Sequence, residues 1–183
     1  MQSKQFIEIH LEYTLQVLKK AEKLKYSDLN TLTWRKCETS WNILECLEHL
    51  NLYGNFYLQQ METKINDSKT RPELEFTSGI LGSYFAKSML PQKKINKIKT
   101  FKSKDPINVN LNTSVIDTFI NQQIKLLQLL ECSRHVSLKK IKIETSISSL
   151  IKINLGDTFQ FFINHIIRHF IQIERIQSMI IIH

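Results

Sequence analysis

Glycine and proline are scarce, at four and three in 183 residues. So few chain breakers exclude a fold made of many tight turns and favour long uninterrupted elements. Cysteine is scarce too: Cys37, Cys46 and Cys132 are odd in number and irregularly spaced, which excludes a disulfide framework and fits free thiols in a reducing cytosol. No apolar run approaches the roughly 20 residues needed to span a bilayer. The N-terminus holds no apolar signal core, because Glu8 and Glu12 interrupt it. A phosphate-binding glycine loop, a dinucleotide fingerprint and a serine-nucleophile elbow are also missing. These absences predict a soluble, cytoplasmic protein without a membrane partner.

What remains is ordinary globular material, 42% hydrophobic and 23% charged, long enough for one domain over residues 1–183 to bury its own core. The net charge of +8 is concentrated. Lys87, Lys93, Lys94, Lys97, Lys99, Lys102 and Lys104 follow one another with no acidic residue between them. That stretch has no arginine and only one aromatic, Phe101, so the aromatic–basic interleaving of a single-strand binder is lacking. A solvated loop is the plain reading, and an anion-attracting rim at positions 93–104 beside an active site is the sharper one. No nucleic-acid partner is expected.

Helical periodicity appears in four segments. The first covers residues 3–25, with Phe6, Ile9, Tyr13, Val17 and Leu24 on its stripe and His10 on the polar side. The second opens at Thr39 or Ser40 as N-cap and continues through Ile43, Leu47, Leu50, Tyr53 and Tyr57 to about Asn66. An irregular region of roughly 40 residues follows, with a turn at Ser78-Gly79 leading into a short helix over 84–89 that Pro91 closes. The third long helix starts near Thr113, where Ser114 and Asp117 have the spacing of a capping box, and carries Ile124, Leu127 and Leu130. Residues 136–153 are β-branched and Ser/Thr/Lys-rich, and read as an extended connection or short helical turn. The fourth helix begins near Asn154, with Phe159, Phe162, Ile166, Phe170 and Ile173 inward. The prediction is an all-α four-helix bundle with a long connection between its second and third helices.

Three histidines carry the chemistry. His165 and His169 are four residues apart, so their rings share one helix face, about 6 Å apart at Cβ. His49, on the second helix, would complete a three-nitrogen metal site if the two helices meet. All three fall at the shoulder of an apolar stripe, where a ligand at the mouth of a bundle belongs. Ordinary boundary histidines would occupy the same positions. Glu45, one turn before His49, is a candidate to orient an imidazole or to take a proton; a surface carboxylate is the plainer alternative. Cys46 reads as a small buried hydrophobe rather than a ligand. Zinc suits three imidazoles, while nickel, iron or manganese would add water ligands.

The stretch Ser40-Trp41-Asn42-Ile43-Leu44-Glu45-Cys46-Leu47-Glu48-His49-Leu50, with Leu155-Gly156-Asp157-Thr158 and the His165/His169 pair, resembles the DinB-like (YfiT-like) superfamily of metal-binding four-helix bundles over roughly residues 30–177. The resemblance implies a divalent ion held by His49, His165 and His169. It also implies either thiol S-transferase chemistry, with a low-molecular-weight thiol as co-substrate, or hydrolysis of a small-molecule substrate. A non-catalytic metal- or ligand-binding or stress-related module is the alternative. Relatives commonly form homodimers, to which the aliphatic Ile180-Ile181-Ile182 end would contribute.

Overall fold

The computed structural model describes residues 1–90 and 100–182. The chain is mostly helical: α1 (Ser3–Leu24), α2 (Leu29–Thr33), α3 (Ile43–Asn66), α4 (Ile80–Met89), α5 (Ser114–Cys132) and α6 (Leu155–Ile182), with an antiparallel hairpin of β1 (Lys142–Thr145) and β2 (Ser148–Asn154) before α6. The long helices pack as α1 and α3 on α5 and both on α6, while α4 lies along α6. Their shared core includes Phe6, Leu47, Met61, Phe119, Phe159 and Phe162.

Helix α3 does not start from Thr39 or Ser40. The Ser40 hydroxyl donates to the Cys37 carbonyl at 2.8 Å and is consumed in a preceding turn. Asn42 caps the helix instead. Its side chain accepts the Glu45 N–H at 2.8 Å while Glu45 Oε2 accepts the Asn42 N–H at 2.9 Å, a complete capping box. The box expected at Ser114 and Asp117 is not formed. Asn112 Oδ1 takes the Ser114 N–H at 2.9 Å, and Asp117 turns outward to Lys25 at 2.7 Å.

Helix α1 is rotated from the expected stripe. His10 and Thr14 are buried, whereas Tyr13 and Leu15 are exposed. Positions 3, 6, 7, 10, 14, 17, 21 and 24 follow the 3.6-residue period more closely than an apolar count that includes Ile9 and Tyr13. Ile124 of α5 is likewise exposed. Every inward position predicted for the last helix is buried.

Residues 142–154 form the hairpin rather than a plain connection. Ile143 pairs with Ile153, and both are buried. The hairpin also sets the start of α6. Asn154, the last residue of β2, accepts the Asp157 N–H at 2.8 Å as the predicted cap. The Leu155 and Gly156 amides donate to the Ile141 and Leu138 carbonyls, both at 3.0 Å. Helix α4 opens at Ile80, four residues earlier than predicted, because Asp157 accepts the Gly79 N–H at 2.9 Å and the Ser78 hydroxyl. Pro91 lies outside the described residues. No described helix is long and apolar enough to cross a membrane.

Candidate metal centre

Helices α3 and α6 bring His49, His165 and His169 together. His165 Nε2 lies 3.1 Å from His49 Nε2 and 3.0 Å from His169 Nε2, and one ligand atom from each residue falls within 4.8 Å of the others. Nitrogens about 2.0–2.1 Å from a shared ion stand about 2.9–3.4 Å apart, from octahedral to tetrahedral angles. The two spacings to His165 fit ligands of a single ion of either geometry, and the third pair lies within 4.8 Å.

The far side of each ring decides which nitrogen faces inward. His49 Nδ1 lies 2.6 Å from the Lys104 carbonyl, which can only accept, so Nδ1 carries the proton. His169 Nδ1 donates to Gln172 Oε1 at 3.1 Å. Both Nε2 atoms therefore present lone pairs, as ligation requires. A proton on His165 Nε2 can serve only one of them, so the other close N···N approach has nothing between its lone pairs. A cation resolves that conflict. His165 Nδ1 is buried without a hydrogen-bond partner, its ring held by Tyr53 at 4.7 Å and Phe161 at 6.1 Å between centroids.

The triad is deeper than its shoulder positions suggested: His49, His165 and His169 are 3%, 5% and 8% exposed. Two covers account for the difference. The Trp41 ring lies 4.7 Å from the His49 ring and stacks at 5.7 Å on His169. The segment 104–108 lies across the N-terminal half of α3, with Asp105 Oδ1 accepting the Trp41 indole N–H at 3.0 Å. Burial holds His49 down to about 4, opposed by the Lys104 carbonyl and Asp105. It pushes His165 and His169 well below the usual range, with neighbouring imidazoles and Arg168 acting in the same direction. All three are neutral at pH 7, the form that ligates.

Glu45 is not a surface carboxylate, because it is fully buried. Nor does it join the imidazole cluster: Oε2 is taken by Asn42, and Oε1 accepts Arg35 Nη2 at 3.0 Å and the Asn108 N–H at 2.7 Å. Cys46 is a buried hydrophobe whose thiol burial pushes far up. Of the lysine stretch, Lys93, Lys94, Lys97 and Lys99 lie outside the described residues. Lys87 and Lys102 are exposed, but Lys104 turns inward, donating from Nζ to the Leu52 carbonyl at 2.7 Å over the Tyr53 ring. Sequence reasoning missed segment 104–108 and Gln172. Gln172, three residues past His169, was the findable signal.

Helices that bury three inward-facing imidazoles, one on α3 and two on α6, define a class of helical proteins with a His₃ cluster. The family model of the DinB superfamily matches residues 8–173, and the chain belongs to that superfamily. No curated protein and no solved structure matches it. The stretch at 155–158 has a structural part here. Gly156 leaves room for the Phe76 ring, and Asp157 anchors α4.

Proposed function

We propose that the chain is a single DinB-like four-helix bundle that binds one divalent ion through Nε2 of His49, His165 and His169 and uses it in thiol S-transferase-type chemistry on a small electrophilic substrate. One observation carries this reading: three neutral imidazoles converge, His165 Nε2 lying 3.0–3.1 Å from Nε2 of the other two, with two of their outer nitrogens already committed as donors. An ion held by neutral ligands keeps its full charge and lowers the pKa of a thiol or water that reaches it. Trp41 and Tyr53 supply an apolar wall that excludes water and orients the reacting groups. The cluster contains no carboxylate among the described residues, and Glu45 is engaged elsewhere. The site therefore offers no ready general base, which favours a nucleophile that ionises easily, such as a thiol, over hydrolysis. Zinc suits the soft thiolate best, and nickel, iron and manganese are the competitors.

Elemental analysis of protein purified without added metal tests the first half, with about one equivalent of a transition metal expected. A panel of low-molecular-weight thiols with a chromogenic electrophile tests the second. Turnover that disappears in His49→Ala supports the transferase reading, and no rate above that variant refutes it.

A binding or sensing role without turnover is the second reading, favoured by the depth of the triad. A groove of about 1210 Å³ runs along α1 and α5 past Ile9, Leu15 and Leu127, and none of the imidazoles lines it. This reading predicts a large loss of melting temperature on chelation with no thiol turnover. A homodimer acting without nucleic acid completes the proposal. Ile180 packs on the core, and the side chains of Ile181 and Ile182 lie outside the described residues. A monomeric mass at micromolar concentration would remove the dimer.

A further inference from the structure

We propose that Glu45 is a positioning residue for the metal centre, acting through segment 104–108 rather than on an imidazole directly. This rests on the metal-binding reading of the triad. A capping box needs only one oxygen from its third residue and accepts glutamine as readily as glutamate. Glu45 does more: it is fully buried, and its second oxygen holds both Arg35 Nη2 at 3.0 Å and the Asn108 backbone N–H at 2.7 Å. Asn108 sits in the left-handed region, φ 62°, a conformation asparagine tolerates better than most residues. Arg35 Nη1 grips the same residue from outside, donating to Asn108 Oδ1 at 2.9 Å. One buried carboxylate and one guanidinium therefore hold both faces of Asn108.

That grip extends to the imidazoles along a short piece of chain. Three residues before Asn108, Asp105 holds the Trp41 indole. Four residues before it, the Lys104 carbonyl receives His49 Nδ1–H at 2.6 Å. The tautomer of His49 and the placement of Trp41 both depend on a segment whose own backbone hydrogen bonding is limited to the 3₁₀ turn at Lys102–Lys104 and a turn in which the Val109 N–H donates to the Pro106 carbonyl at 3.1 Å. Its inner anchor is the Lys104 Nζ contact to the Leu52 carbonyl, and its outer anchor is Glu45. With the outer anchor removed, the carbonyl that fixes His49 Nδ1–H is held from one side only. The same residue that starts α3 thus sets the ligand one turn further along it.

Three variants separate this from a purely structural role. Glu45→Gln cannot satisfy Asn42, Arg35 and Asn108 together. Arg35→Met loosens Asn108 but leaves the capping box whole. Asn42→Ala damages the cap but leaves Asn108 held. Zinc affinity is measured by chelator competition, and exchange of His49 Nδ1–H is followed by NMR in metal-free protein. Expected are a loss of about 10- to 100-fold in zinc affinity for Glu45→Gln and Arg35→Met, faster exchange of that proton in both, and for Asn42→Ala a lower melting temperature with affinity within about twofold of wild type. Wild-type affinity and a protected proton in Arg35→Met would overturn the proposal, and that variant decides the matter should Glu45→Gln fail to fold. Should the wild type take up no zinc, the metal reading falls, and the exchange of His49 Nδ1–H still decides whether Glu45 positions the ring.

Discussion

His165 differs from its two companions in how its outer nitrogen is held. His49 is fixed by a backbone carbonyl and His169 by the Gln172 amide, whereas His165 relies on ring packing against Tyr53 and Phe161. Gln172 is half-buried and one short step along α6, so it contributes little to the core beyond this contact. Removing it frees His169 to rotate and to move its proton to Nε2, the nitrogen that must face the ion. Gln172→Ala should therefore reduce zinc affinity by about tenfold, the lower end of such outer contacts, while shifting the urea midpoint little. Chelator competition alongside urea unfolding checks both halves. A large midpoint shift with unchanged affinity would assign Gln172 to stability alone.

At the level of elements, the start of α6 is where most local decisions meet. The hairpin delivers Asn154 as cap, and the Asp157 carboxylate then gathers Ser78 and Gly79 and so seats α4 against α6. Gly82 belongs to this joint, because a Cβ there would overlap the Asp157 carboxylate. Asp157→Ala leaves the Gly79 N–H without its acceptor and should cost about 1–3 kcal/mol. Gly82→Ala should also destabilise, by forcing the carboxylate aside. Unfolding in urea reads both, and a double variant less destabilised than the sum of the singles would show that they share one contact.

The same joint shows what the sequence could and could not disclose. Asn154 was legible as a cap because that role is local, and the inward face of α6 was legible because Phe159 to Ile173 follow one period. The triad was legible as a spacing, His165 and His169 on one face with His49 on another helix. Its depth was not, since Trp41 and segment 104–108 cover it through contacts across tens of residues. The hairpin is legible only as an extended connection or short helical turn, because pairing partners are not encoded in one strand. The start of α3 moved to Asn42 because Ser40, an equally good cap by type, found a nearer carbonyl.

Considered whole, the protein buries His10 of α1 as well as its three clustered imidazoles, and all four are neutral near pH 7. His10 is isolated from the cluster, its Nδ1 donating to the Phe6 carbonyl at 2.6 Å. Burial lowers its pKa and outweighs the raising effect of that hydrogen bond. Because the folded-state value lies below the unfolded one, the unfolded chain binds more protons just under pH 6.5, so stability rises with pH there. The contribution is complete above about 6.5 and drains away as pH falls toward the folded value, at no more than about 1.4 kcal/mol per pH unit for each such histidine. For His49 that window extends down to about 4. Metal-free protein should thus lose stability steeply between pH 6.5 and 4.5. His10→Asn should flatten the slope slightly, and replacing all three clustered histidines by glutamine should flatten it far more. Urea titrations at several pH values measure this. With zinc bound the rings likewise stay neutral in the folded state, so the loaded protein should lose stability with the same slope but from a higher level, until protons displace the ion. Coincident pH profiles for metal-free and zinc-loaded protein would count against ligation by these imidazoles.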